Sequence, residues 1–212
     1  MLVGNYSRTT ATGDQESGAD DSGIFLVKGD VSGDESNKQI KWEDTKCLPR
    51  RFFGTQHESW TRLAGGGGLG VDMGDGNFLF PVEGTIKEGD PQKEGKTVSL
   101  LLYSKDTKNW TLSKGMSADG CGDPSVVEWE KDKLMMMTAC DDGRRRVYEI
   151  SDGGESWTEA LGTLSRVWGN KKGVSGVRSG FITANFVFSV DDNRNVMLVT
   201  LPVYANDKGK GV

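Results

Sequence analysis

The sequence predicts an all-β fold of antiparallel four-stranded sheets, and three observations lead there. The chain has 212 residues, of which 30 are Gly and only 5 are Pro. Its apolar residues fall in short runs between turn residues, with no sustained helical period. The stretch Asp152-Gly153-Gly154-Glu155-Ser156-Trp157 fits the pattern D-x-G-x-[ST]-W, a tight hairpin turn followed by an apolar anchor.

The strands can be read in order. Met1 to Tyr6 reads as the interior of a strand, and Gly23 to Lys28 as the next. Lys38 to Trp42 alternates polar and apolar residues and makes another. Gly65 to Gly68 opens into Leu69 to Met73. The chain turns at Gly74-Asp75-Gly76-Asn77, where Asp-Gly supplies a positive φ, and returns through Phe78 to Val82. A charged loop, Glu88 to Lys96, precedes a strand over Thr97 to Tyr103. Ser125 to Glu130 and Leu134 to Ala139 form a hairpin about Lys131-Asp132-Lys133. Arg144 to Glu149 leads into the D-x-G-x-[ST]-W turn. Phe181 to Val190 and Asn195 to Leu201 are the last pair, turned at Asp191-Asp192-Asn193.

The turn motif is an Asp-box, with Ile150 where its first Ser would stand. Its spacing has a physical reason. The Asp152 carboxylate is expected to accept backbone N–H bonds, Gly154 to supply a positive φ, Ser156 to bond back into the turn, and Trp157 to fold down between sheets. Asp106 and Trp110 mark a degenerate second copy, Ser104 to Trp110, lacking the Gly. Trp110 and Trp157 lie 47 residues apart, one blade of a β-propeller per repeat. A complete propeller takes about 40–50 residues per blade, so residues 1–212 are expected to be an incomplete propeller domain.

Composition excludes several classes. Net charge is −5, with Lys and Arg scattered apart from Arg144-Arg145-Arg146, which argues against nucleic acid. That triplet reads as a strand with alternating faces, and the run Met135-Met136-Met137 as blade packing. No segment nears the ~20 apolar residues of a membrane span, and the N-terminus lacks signal-peptide features. Cys47, Cys121, Cys140 and the single His57 make no zinc-type cluster, so no metal and no cofactor is expected. One His, remote from any nucleophile elbow, also argues against a Ser-His-Asp engine.

Several further stretches converge on one family. Val3-Gly4-Asn5-Tyr6, Phe80-Pro81-Val82, Gly120-Cys121-Gly122-Asp123-Pro124, Glu128-Trp129-Glu130, Arg144 to Glu149, the Asp-box and Gly162 to Gly169 together resemble the trypanosomal trans-sialidase superfamily. The resemblance implies a sialidase-type six-bladed propeller, of which this chain would cover the middle blades. It also implies a mechanism. An arginine triad holds the sialic acid carboxylate, a Tyr nucleophile is activated by a Glu, and an Asp serves as acid/base.

Carried onto this chain, that site looks damaged. The base Glu falls at Asp123, which reaches about 1.5 Å less far. The second triad Arg falls at Ala139, which has no charge. The acceptor-stacking aromatic pair falls in Thr9-Thr10-Ala11-Thr12, and a glycan-contacting Gln falls at Glu83. The nucleophilic Tyr, two arginines and the acid/base Asp are expected beyond the chain's ends. A turn at Lys131 places Asp123 opposite Ala139 and Cys121 almost opposite Cys140. The two substituted positions are then expected to share one pocket edge, and the cysteines to form a disulfide if the protein is exported. Losing a charge-assisted grip on a substrate carboxylate costs about 2–5 kcal/mol.

Asn5-Tyr6-Ser7 and Asn109-Trp110-Thr111 are N-glycosylation sequons, consistent with a secreted or cell-surface protein. The expected function is that of a catalytically deficient trans-sialidase-like surface glycoprotein. It would bind host-cell glycans, matrix or cell-surface proteins in adhesion, or act as an immune decoy. The alternative is an active exo-α-sialidase or trans-sialidase.

Overall fold

The computed structural model describes residues 2–4, 24–43, 46–48, 60–66, 68–74, 76–86, 95–170, 179–189 and 192–202. Asn5, Thr9 to Thr12, His57 and the final Lys208 to Val212 run lie outside them, as does most of the Glu88 to Lys96 loop.

Strands β1 (Leu2–Gly4) and β2 (Ile24–Leu26) pair first. The chain then makes a separate hairpin of β3 (Gly29–Ser32) and β4 (Gln39–Trp42) and returns as β5 (Lys46–Leu48) on the far side of β2. The second sheet holds β6 (Trp60–Gly65), β7 (Val71–Asp72), β8 (Phe78–Ile86), β9 (Lys96–Ser104) and β10 (Thr111–Leu112). Its order is β10-β9-β8-β6, with β7 beside β8. The third sheet is a four-stranded meander of β11 (Cys121–Glu130), β12 (Lys133–Cys140), β13 (Arg145–Ser151) and β14 (Ser156–Glu159). A hairpin of β15 (Gly180–Ser189) and β16 (Asp192–Thr200) follows. Every pairing among the described strands is antiparallel.

Two boundaries differ from the sequence reading. The last hairpin does not turn over residues 191–193: Ser189 pairs with Asp192, so the polar residues extend the ladder. Backbone pairing needs no apolar side chains once a strand runs past the core. Strand β11 also starts earlier than residue 125, because a bulge between Gly122 and Ser125 lets pairing resume at Cys121 and Gly122.

Three apolar layers hold the sheets face to face. Ile24 and Leu26 meet Leu63, Val82, Val98, Leu100 and Leu102 between sheets one and two. Leu79 and Leu101 meet Val126, Met136, Tyr148 and Ile150 between sheets two and three. Val127, Met137 and Val147 meet Phe181 of the final hairpin. The strand period explains the arrangement: Met136 faces one layer and Met137 the other, so both faces of sheet three are buried. The methionines therefore pack blades together. The Arg triplet alternates as expected, with Arg144 exposed and Arg145 buried.

The two tryptophans of the 47-residue period occupy equivalent places. Trp110 lies in the layer between its own sheet and the preceding one, with Phe80 at 5.8 Å between ring centroids. Trp157 lies one layer on, against Tyr148 at 5.7 Å and directly over Gly115. A Cβ at Gly115 would come within 2.2 Å of the Trp157 ring, so the approach requires glycine.

The turn chemistry corrects one expectation. In the intact box Gly154 has φ +101° as expected, and Ser156 Oγ donates to Asp152 Oδ2 at 2.9 Å. Trp157 Nε1 donates to the Gly154 carbonyl at 2.9 Å. Backbone donors, however, gather at the degenerate box: Asp106 Oδ1 accepts the N–H of Asn109 at 2.7 Å and of Lys108 at 2.8 Å. Asp152 itself sits at φ 53°, which turns its carboxylate toward Ser156 rather than the following amides.

Those amide bonds hold the Asp106 carboxyl at about 2, below its ordinary 3.8. A depressed folded-state pKa gives stability that is complete above about pH 4 and is lost as pH falls through about 2. Thermal unfolding scans between pH 5 and pH 2 are expected to show a shallower acid limb for Asp106→Asn than for the unmodified chain.

Candidate functional site

The candidate site forms where the start of β11 leaves the sheet ladder. From Ser125 to Glu128 the pairing with β12 keeps one register, Ser125 opposite Met137 and Glu128 opposite Leu134. The bulge then shifts it by one, so Ala139 faces Gly122 and Cys140 faces Cys121. Asp123 therefore does not face Ala139, contrary to the register read from the turn. It lies within the bulge at φ 52°, a left-handed conformation that costs a non-glycine residue of order 1 kcal/mol or more. The bulge re-aims the Asp123 side chain out of the alternation.

Neighbouring groups fix Asp123 there. Glu83 Oε2, from β8, accepts the Asp123 N–H at 2.9 Å. The same carboxylate lies against Gly122, where a Cβ would meet Glu83 Oε2 at 2.4 Å and push the Glu83 side chain aside. Ser99 Oγ donates to the Cys121 carbonyl at 3.1 Å. Cys121 and Cys140 are joined by a disulfide with their Cα atoms 4.0 Å apart. That bond pins the end of the hairpin next to the bulge.

The Asp123 carboxylate is held within the chain. Its Oδ2 accepts a hydrogen bond from Ser179 Oγ at 2.9 Å and lies 3.7 Å from Arg145 Nη1. Arg145 Nη1 also donates to Ser179 Oγ at 2.6 Å, and Ser125 Oγ donates to the Ser179 carbonyl at 3.3 Å. The Arg145 side chain is 4% exposed and that of Asp123 23%. A guanidinium this buried must be paired, because desolvating a lone charge costs far more than the contact returns.

Sequence reasoning singled out Asp123, Glu83 and Ala139, and all three belong to one neighbourhood. It missed Arg145 and Ser179. Arg145 pairs with Ala139 across β12 and β13 and so stands beside the position that lacks the expected arginine. A signal was present: Arg145 shares strand parity with Val147, which is fully buried, and an arginine on a buried face needs an acid. Ser179 could not have been found, because only the packing of the last hairpin on β11 brings it in.

Chemically, the cluster presents two carboxylates, Glu83 and Asp123, and the buried Arg145 cation already engaged by Ser179 and Asp123. A substrate carboxylate entering here would meet like charges from both acids. Among the described residues no group of His, Cys, Asp and Glu is placed to hold a metal ion, and no helix is long and apolar enough to cross a membrane. The other predicted positions lie elsewhere. The Asn109 side chain is exposed and donates to Asp106 Oδ2 at 2.7 Å, and Asn5 falls outside the described residues.

Comparison with known proteins places this geometry in context. A family model described as a BNR repeat-like domain matches residues 1–212. A sialidase of Trypanosoma cruzi is 34% identical over 221 residues, covering 100% of this chain and 18% of that protein. Sialidase 85-1.1 of the same organism is 36% identical over 187 residues, covering 86% of this chain and 24% of its own length. The chain thus spans a quarter or less of these relatives. Among solved structures, Trypanosoma rangeli sialidase in complex with the inhibitor DANA matches with a TM-score of 0.77 and 32% identity over 99% of this chain and 33% of that one. The same enzyme in complex with sialic acid matches with a TM-score of 0.72 and 31% identity.

Proposed function

The chain belongs to the BNR repeat-like family, in its trypanosomal sialidase and trans-sialidase group, and from that premise we propose that its desialylating centre has become a structural ion cluster. The parent protein then acts by binding rather than by turnover, in adhesion to host-cell glycans or matrix proteins or as an immune decoy, from the cell surface or as a secreted protein. One observation carries the reading: Asp123, at the place of the expected base, has its Oδ2 held by Ser179 and beside Arg145, while the position expected to grip a carboxylate is Ala139.

A base must accept a proton in the transition state. The Asp123 Oδ2 is already occupied by the Ser179 hydroxyl and lies beside Arg145, and a carboxylate one methylene shorter than Glu is displaced from the place where a base must act. The Cys121–Cys140 disulfide and the exposed Asn109 sequon support an oxidising, exported setting. The second reading, an active sialidase, is favoured by Glu83, whose carboxylate lies against the Asp123 backbone and brings a second acid to the cluster.

Binding tests the proposal on the parent protein. Immobilised sialylated glycans and extracellular-matrix proteins are expected to retain it, with the bound glycans recovered unaltered. Retention of neither class would leave no adhesion function to assign. Release of free sialic acid from the glycans would favour the second reading.

A further inference from the structure

We infer that the groove at the hairpin-tip end of β11 is a second ligand site, and that it takes a neutral hexose-type saccharide. The groove lies between the β11–β12 turn and the β15–β16 hairpin and has a volume of about 670 Å³, within the range of small-ligand sites. Six residues of extended chain separate Trp129 in this groove from Asp123, about 20 Å along β11. The inference does not depend on what the Asp123 cluster does.

Strand β11 carries a second bulge here, between Glu128 and Glu130, which takes Trp129 out of the ladder. Bulges re-aim side chains, and the half-buried Trp129 is among the residues that line the groove. Trp129 belongs to none of the three apolar layers among the described residues. Its ring therefore contributes nothing to those layers, and it offers a flat apolar face of the kind that meets the C–H face of a sugar ring.

The walls are fixed across two sheets. Asn195 Nδ2 donates to the Trp129 carbonyl at 2.8 Å, and Thr183 Oγ1 to the Glu128 carbonyl at 3.3 Å. Glu128 Oε1 accepts the Asp132 N–H at 2.9 Å, which orients its carboxylate. Glu128 Oε2 and the exposed Asn185 amide have no hydrogen-bond partner among the described residues. A planar carboxylate and a planar amide beside an aromatic face match adjacent sugar hydroxyls, which donate and accept at neighbouring positions.

Charge selects the class of sugar. Glu130 is paired with Lys133, while Glu128 faces the groove with no cation bonded to it among the described residues. Lys131 also lines the groove, so its charges are two carboxylates, one of them taken up by Lys133, and one ammonium. An acidic sugar would still bring its carboxylate toward Glu128, whereas the hydroxyls of a neutral one accept from Lys131 and Asn185 and donate to Glu128.

Titrations of the full chain with lactose, maltose and cellobiose, followed by ligand-observed NMR, test this. At least one disaccharide is expected to bind saturably in the millimolar range. Trp129→Ala should weaken that binding at least tenfold, and 3′-sialyllactose should show weaker Trp129-dependent binding than lactose. Absence of saturable binding, binding unchanged by Trp129→Ala, or Trp129-dependent preference for sialyllactose would overturn the assignment. Should Trp129→Ala lower the thermal midpoint, Asn185→Ala, at an exposed position, decides by the same loss of affinity.

Discussion

Arg145→Ala is expected to destabilise the chain by about 3 kcal/mol, the low end of the range for breaking a buried ion pair. The low end applies because Asp123 is 23% exposed and keeps some hydration once its partner is gone. The loss has two parts. Ser179 Oγ loses a donor at 2.6 Å, and the Asp123 Oδ2 loses the guanidinium 3.7 Å away. Adding Asp123→Asn should recover a substantial part, since the charge that faced the guanidinium is then removed. Urea denaturation of the two single variants and the double variant measures the coupling. A strictly additive result would mean that Arg145 and Asp123 do not sense each other.

Trp110→Ala should cost about 3–5 kcal/mol, the range for removing a large aromatic from a packed core. Trp110 is 2% exposed, lies in the layer between sheets one and two, and contacts Phe80. No neighbouring side chain can fill the space without moving a strand, because Val98, Leu100 and Leu102 are already buried on the adjacent β9. Trp157→Ala, at a half-buried position one layer on, should cost less. The order of the two midpoints in one denaturation series checks this, and a larger loss at Trp157 would contradict the equivalence of the two anchors.

Much of the fold was legible because strand periodicity and turn residues are local. Gly74 and Gly76 mark the β7–β8 turn with positive φ, and Asp132 at φ 61° turns β11 into β12. The Trp110 to Trp157 spacing located two consecutive sheets, since each box delivers its tryptophan to the layer before its own sheet. The bulges were not legible. A register extrapolated from a turn assumes an unbroken ladder, and one extra residue between Gly122 and Ser125 moved Asp123 off its predicted partner. The Asp123 ion cluster was hidden for a related reason. Its members come from β8, β11, β13 and Ser179, and only packing between sheets unites residues so distant in sequence.

The site's substitutions, by contrast, were visible in the sequence, because Asp123 and Ala139 are read directly against the resemblance. What they mean depends on Arg145. With the arginine held against Asp123 and Ser179, the neighbourhood is, under the proposed function, organised for stability.

Hydrolysis of a fluorogenic sialoside by the full-length parent protein tests that account most directly. Turnover is predicted to stay at the level of buffer alone from pH 5 to pH 8, with Asp123→Ala no different from the unmodified protein. Release of fluorophore above that level, abolished by Asp123→Ala in a variant that still folds, would show that Asp123 remains a working base and would contradict the account.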